Sequence, residues 1–366
     1  MRTVHCALLL GLLGSPAPSS VFAQSTAPEP GPWRVGFAFI RSVDSTRRME
    51  TGEPRPLDIG VWYPTRSTER LRLTYRDYYL LAAAEPELEN FIQFLASHGA
   101  ENREVAAWLA TPMRAIRDAL PTDQRFPLVL IAQGNGHSVQ DQAPMAEHLA
   151  SHGYVVATTP SPMRVTGPLE SESQVGARAM EQSIDLETAE LRLLQWRRDI
   201  AGEAIGVVGH SFGARAGLLL AMRSTHVAAL VSLDGGIGTA TGRGSMESVA
   251  GFRPGAVRAA ILHFYETLDD YMTPDLSLLR SLTGVTRWIQ QAPLHHHQFT
   301  SLGAATVEHA ALRGALAATD TTAAAYSAVL TETLVFLDAF LKGDRNARSR
   351  LESGAAQFPL GPRERL

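Results

Sequence analysis

The chain has 366 residues, of which 45% are hydrophobic and 19% charged, so a sizeable core is available and a disordered or collagen-like chain is excluded. The formal net charge of −4 leaves no basic footprint for nucleic acid and little attraction to anionic lipid. The single cysteine, Cys6, lies before the first apolar run.

Residues 1–23 read as a secretory leader: Arg2, an apolar run from Ala7 to Leu13, breakers at Pro16 and Pro18, and Val21-Phe22-Ala23 before a cut ahead of Gln24. The expected location is therefore secreted or periplasmic, with no lipid anchor and no thiol or disulfide in the mature chain. Neither the leader nor any later segment reads as long and uncharged enough to cross a membrane, so no stable membrane insertion is expected.

Residues 24–34, rich in proline and hydroxyl side chains, are expected to be a poorly ordered start of the mature chain. Residues 35–40 and 57–63 read as two strands that open an antiparallel edge, joined by a polar loop carrying Arg47, Arg48 and Glu50. Residues 65–122 change to helical spacing, with Tyr75, Tyr78, Tyr79, Phe91, Trp108 and Ile116 on recurring faces. So long a stretch is an insertion with its own helices, serving as a lid or side wall or as a packing decoration.

The short apolar run at residues 126–132 suits a parallel strand covered on both faces, and Gln133-Gly134-Asn135-Gly136-His137 follows it as a tight turn. A helix at 144–152, a strand at 153–159, a loop at 161–176 and a long helix at 179–200 come next. Residues 204–208 then form a β-branched run that ends in Gly209-His210-Ser211-Phe212-Gly213, ahead of a helix-favouring segment. The G-x-S-x-G spacing answers a steric need. A strand-to-helix turn this sharp has no room for side chains beside the central residue, which leaves Ser211 exposed at the carboxyl edge of a sheet. Further strands are read at 228–233, 259–265 and 285–290, with a closing helix at 326–341 and a tail at 344–366. Strands alternating with helices predict one α/β domain over 35–343, a mainly parallel sheet flanked by helices.

A serine hydroxyl attacks only when a base takes its proton, and the base needs an acid to hold its tautomer. At the carboxyl ends of later strands the acid candidates are Asp234 and, past the next strand, Asp269 or Asp270. His295, His296 and His297 follow the last strand as candidate bases. Adjacent side chains diverge, and no H-E-x-x-H or cysteine set completes a zinc shell, so neither metal nor organic cofactor is expected. His210 reads as a packed residue of the turn. The oxyanion formed by attack would meet the N–H of Phe212 and one from the Gly134-Asn135 turn.

With these residues in place, the chain resembles the α/β-hydrolase superfamily, and within it the group of secreted esterases that includes platelet-activating-factor acetylhydrolases and dienelactone-hydrolase-like proteins. The resemblance spans residues 35–343 and rests on segments 59–64, 126–130, 149–157, 206–213, 231–234 and 336–341. It implies Asp234 as the acid, demoting Asp269 and Asp270. It implies His296 as the base, three residues before Phe299, with His297 as the alternative, and Asn135 as the second oxyanion N–H. The chain departs from the group where Gln133 replaces a histidine and where Thr300-Ser301 stands in place of an aspartate. Serine in place of the cysteine of dienelactone hydrolases points to esters. The function expected is carboxylic ester hydrolysis through an acyl-enzyme on Ser211, on a small-molecule or lipid-like substrate and without nucleic acid, so that lipid degradation is among its expected roles. A peptidase, amidase or polyesterase with the same three residues, or a non-catalytic binding protein of the same fold, are the alternatives.

Overall fold

A computed structural model of the chain describes residues 27–82, 85–269, 271–282 and 284–366. The leader, the remainder of 24–26 and Asp270 lie outside the described residues. The strands are β1 (Arg34–Ile40), β2 (Val43–Arg48), β3 (Pro54–Pro56), β4 (Ile59–Thr65), β5 (Ala115–Arg117), β6 (Phe126–Ala132), β7 (Val155–Thr158), β8 (Ile200–His210), β9 (Val227–Leu233), β10 (Ala260–Glu266), β11 (Arg287–Ala292) and β12 (Arg363–Arg365).

Ten of them form one sheet in the order β12-β11-β10-β9-β8-β6-β7-β4-β1-β5. From β7 to β11 all neighbours run parallel; β1, β4 and β7 pair antiparallel. The central strands are apolar on both faces because helices cover both, and two apolar clusters lie on the two sides of the sheet. This is the doubly covered, mainly parallel sheet of the α/β-hydrolase fold, in which the parallel strands deliver their carboxyl ends, and whatever follows them, to one edge.

Several local readings are revised. The long helix is Val175–Trp196 and stops short of Ile200, which opens β8. Ile200 fits the helical period, but Arg197 adopts extended backbone and forks onto Asp199 at 3.0 and 2.6 Å, ending the helix. The polar loop before β4 holds the two-stranded β2–β3 ribbon. Arg55 of β3 pairs both nitrogens of its fork with Asp185 (2.9 and 2.7 Å), and Arg47 of β2 reaches the same carboxylate at 2.5 Å. Residues 27–33, expected to be poorly ordered, include two anchored positions. The Gly31 N–H donates to Ser151 Oγ, and Trp33 sets its ring edge-on to Phe126 at 5.3 Å.

The segment read as a tail folds as a helix, Arg345–Glu352, and the edge strand β12, antiparallel to β11. Its anchor is electrostatic: buried Arg363 pairs with fully buried Glu332, which Arg350 also reaches at 2.6 Å. Asp320–Lys342 does have the length and apolar content to cross a membrane, contrary to the expectation, but it is mostly buried inside this domain, with Val329, Leu330, Phe336 and Leu337 in the core.

The insertion consists of helices Tyr75–Ala82, Glu85–Ser97 and Asn102–Leu109, followed by β5, which extends the sheet beside β1. A chain of hydrogen bonds ties it to the sheet. Trp62 Nε1–H donates to Tyr78 Oη (2.8 Å) and the Tyr78 hydroxyl to Glu147 (2.7 Å), which also accepts the Arg114 and Ala115 N–H groups. Burial outweighs these bonds and pushes the Glu147 carboxyl up to about 7.

Because Arg363 compensates a carboxylate with no access to water, Arg363→Ala is expected to destabilise the chain by on the order of 3 kcal/mol. The loss would register as a lowered urea midpoint at unchanged slope.

Candidate active site

The site is built where β8 turns into the helix Gly213–Arg223. Ser211 sits at φ 53°, a left-handed conformation rarely taken by a residue other than glycine. Neighbouring strands hold it there: the Ser211 N–H donates to Leu233 C=O (3.0 Å), and its own C=O accepts the Gly236 N–H (2.9 Å). The flanking glycines are needed for space. A Cβ on Gly213 would lie 2.0 Å from the Ala132 carbonyl oxygen, and one on Gly209 would lie 2.6 Å from Ala214 Cα.

Three side chains from three sheet positions meet. The Ser211 hydroxyl lies 2.9 Å from His296 Nε2, and His296 Nδ1 lies 2.5 Å from Asp234 Oδ2. A carboxylate only accepts, so Nδ1 carries the proton and Nε2 is left to accept from the serine. Asp234 is itself fixed: it follows β9 at φ 45°, its N–H donates to Phe264 C=O, and its Oδ1 accepts the Glu266 N–H at 3.0 Å.

The other candidates point elsewhere. His297 Nε2 faces the Leu316 carbonyl at 3.2 Å, and burial pushes its ring pKa down. His295 Nδ1 pairs with Asp269 Oδ2 at 3.1 Å. Asp269 holds the histidine segment by this bond and by accepting the His296 N–H at 3.4 Å; it does not meet the His296 ring. Burial opposes the charge on Asp269, but hydrogen bonds from Glu266, the Tyr271 N–H and His295 outweigh it and hold the carboxyl at about 2. Asp270 lies outside the described residues.

On the opposite side of Ser211, the turn after β6 presents Asn135 beside the cleft. Among the described residues neither Phe212 nor Asn135 donates its N–H within the protein, while the Ser211, Ala214, Gly136 and His137 N–H groups nearby do. Gln133 supports this turn from inside the protein: its Nε2 donates to Thr158 Oγ1 (2.9 Å), and its C=O accepts from Gln182 Nε2 (3.0 Å). Gly134 is flanked closely, since a Cβ there would lie 2.8 Å from His210 Nδ1 and 2.9 Å from His137 Nδ1. Buried His210 stacks on His137 (5.4 Å), lies 4.9 Å from the His296 ring and donates from Nε2 to the His296 carbonyl at 3.3 Å. Burial and the neighbouring His296 and His137 hold its pKa well below the usual histidine value, so it packs as a neutral ring.

Of the residues that wall the site, the sequence named Tyr79, Phe91 and His137 only as members of their segments and did not single out Asp141, Tyr271 or Leu302. The cleft of about 270 Å³ at Ser211 is lined by Tyr79 and Phe91 of the insertion, and by Tyr271, His137, Asp141 and Leu302. Tyr79 and Phe91 stack at 5.0 Å. The insertion is therefore both wall and packing: Tyr79 and Phe91 face the cleft while Tyr75 and Trp108 pack against each other at 4.4 Å. Arg164 joins it to the turn after β6, donating to the carbonyls of Ala82 (2.9 Å) and Gly136 (3.3 Å). The signal was present in the aromatic spacing, but only the folded chain shows which faces turn to Ser211.

Ligand atoms of Asp234, Glu266 and His296 lie within 4.8 Å of one another, a set that could hold a cation. The 2.5 Å contact between His296 and Asp234 argues for a shared proton, since two ligands of one ion at about 2.1 Å each sit farther apart.

Residues 187–265 match the family model described as BAAT / Acyl-CoA thioester hydrolase C terminal. The chain is 24% identical over 254 residues to a probable 1-alkyl-2-acetylglycerophosphocholine esterase of Arthroderma benhamiae; the match covers 64% of this chain and 64% of that protein. Among solved structures it is similar to a ferulic acid esterase from Streptomyces cinnamoneus, with a TM-score of 0.64 at 19% identity, over 87% of this chain and 93% of the other.

Gly213→Ala is expected to cost about 1–3 kcal/mol, because its methyl group would force the turn away from Ala132. Thermal unfolding of the variant beside the parent measures it. Sheet order, the strained serine turn and these likenesses together make the chain an α/β-hydrolase in fold.

Proposed function

We propose that the chain is a secreted or periplasmic serine hydrolase that cleaves carboxylic esters through an acyl-enzyme on Ser211. The observation that carries this reading is the unbroken relay Ser211 Oγ to His296 Nε2, His296 Nδ1 to Asp234 Oδ2, beside the Phe212 and Asn135 N–H groups, which have no acceptor among the described residues. In this mechanism His296 takes the serine proton as Oγ attacks the ester carbonyl, and Asp234 stabilises the imidazolium that results. The Phe212 and Asn135 N–H groups receive the developing oxyanion, each contributing roughly 3 kcal/mol to the transition state. His296 then returns its proton to the leaving alcohol, and water repeats the sequence to release the acid.

Esters are favoured over amides by the likeness to proteins named as an acetylglycerophosphocholine esterase and a ferulic acid esterase. A small acyl group suits a cleft of about 270 Å³ walled by aromatic rings. A lipid-like alcohol is compatible with the first relative's name, and lipid degradation is accordingly one role proposed. Secretion rests on the leader pattern in residues 1–23.

Turnover of p-nitrophenyl acetate should fall by at least about 10³-fold in Ser211→Ala and by about 10⁴-fold in Asp234→Asn. Asp269→Asn should lose no more than about 10-fold, since Asp269 supports the histidine segment and leaves the His296 ring to Asp234. Equal turnover in Ser211→Ala and the parent would exclude the nucleophile, and an inactive parent would favour a binding protein. Export from a bacterial host should leave a mature chain beginning at Gln24, checked by intact mass.

A further inference from the structure

Glu266 ends β10, the strand next to β9, which Asp234 follows, and the relay described above does not use its side chain. It is 3% exposed, and its Oε1 accepts the Met272 N–H at 2.8 Å. Its Oε2 is buried with no N–H or O–H donor among the described residues. The side chain that shares its turn is another carboxyl, that of Asp269: the two accept the successive N–H groups of Tyr271 and Met272, and each bears on the protonation of the other. Two acceptors make a hydrogen bond only when one of them carries a proton.

The bonds around the pair decide which one does. Asp269 already accepts from the Tyr271 N–H (2.9 Å), from His295 Nδ1 (3.1 Å) and from the His296 N–H (3.4 Å), all of which favour its anionic form. Glu266 is buried and within 4.8 Å of Asp234, both of which favour its neutral form. The proton belongs on Glu266.

We infer that protonated Glu266 is a positioning residue for the Ser211 relay: by donating to Asp269 and accepting from Met272 it latches the segment that holds His295 and His296 and carries Tyr271. Through Asp269 the latch reaches the backbone of His296. Through the Met272 N–H it reaches the neighbouring Tyr271, whose ring lies 4.5 Å from that of His296 while remaining 72% exposed. Keeping Glu266 neutral also spares Asp234 a second negative charge beside it. Burial, the bond to Asp269 and the charge of Asp234 push its pKa up to about 9, in the same direction as the geometry.

The sign of the pH effect follows. Below that value Glu266 holds its proton and the latch is closed. As pH rises through it, ionised Glu266 faces the anions Asp234 and Asp269, with the His296 ring also within 4.8 Å and His295 beyond Asp269, and the bond that joined the two carboxyls becomes a repulsion. Activity should therefore have an alkaline limb in addition to the acid limb set by the base.

The inference rests on the serine-hydrolase reading. It is tested by kcat and KM for p-nitrophenyl acetate between about pH 6 and 10, spontaneous hydrolysis subtracted, in the parent, Glu266→Gln, Glu266→Ala and Ser211→Ala. The amide of Glu266→Gln can donate to Asp269 and accept from Met272 but has no proton to lose. It should retain activity within about 3-fold of the parent near neutrality and should lack the alkaline limb. Glu266→Ala should lose about 10-fold or more, in kcat rather than KM, and fluorophosphonate labelling of Ser211 should slow in parallel. Superimposable pH profiles for Glu266→Gln and the parent would overturn the inference, as would a loss in Glu266→Gln equal to that in Glu266→Ala. If Glu266→Ala does not fold, judged by thermal unfolding, the comparison of Glu266→Gln with the parent decides alone. Undiminished activity in Ser211→Ala would instead remove the hydrolase reading itself, so the two failures are distinguishable.

Discussion

The chain passes through Ser211 in a left-handed backbone conformation, and the close approach that this requires sets the geometry of everything around it. Gly213 can lie against the Ala132 carbonyl only because it has no side chain, and this contact brings the ends of β6 and β8 together. The same contact places the turn after β6, with Asn135, across the serine from the ends of β9 and β11. Strain of this kind costs a few kcal/mol at most, and it is held by bonds to the neighbouring strands: Ser211 N–H to Leu233, and Gly236 N–H back to Ser211. The parallel sheet is what makes those partners available, because all of its central strands end at one edge.

Charge is managed around the turn by burial and pairing. His210, at the centre of a stack that includes His137 and His296, is kept neutral by burial and so serves as a packed ring between the Gly134-Asn135 turn and His296. On the other flank three carboxyl groups, Asp234, Glu266 and Asp269, crowd beside two histidines. Three anions there would repel one another in a poorly hydrated space. One proton on Glu266 resolves the crowd, leaving Asp234 to face His296 and Asp269 to face the backbone and His295. The site thus depends on which carboxyl is neutral as much as on which is charged.

The insertion illustrates how packing and access are combined in one element. Its inner aromatic residues bury against the sheet edge through Trp62, Tyr78 and Glu147, while Tyr79 and Phe91 turn toward the cleft. Arg164 couples that wall to the turn after β6 through two backbone carbonyls. A shift of the insertion would thus be felt at Gly136, next to Asn135.

Much of this was legible in the residues themselves. Glycine spacing around Ser211, β-branched runs and turn chemistry depend on local sterics, so strands such as Phe126–Ala132 and the turn at 209–213 could be read directly. Residue type and spacing favoured Asp234 only narrowly, from its place at a strand end, and left the three histidines open; the resemblance to secreted esterases singled out Asp234 and His296. What the amino-acid order could not decide was pairing across long separations. Three adjacent histidines have the same chemistry, and only the register of β11 against β10, with Asp269 holding the segment, turns His296 to Asp234 and sends His295 and His297 elsewhere. The strand β12 escaped notice for the same reason: Arg-Glu-Arg has no apolar alternation, and it becomes a strand because Arg363 finds buried Glu332. Local backbone preference is written within a few residues, whereas a buried ion pair or a shared proton exists only once distant strands have been brought side by side.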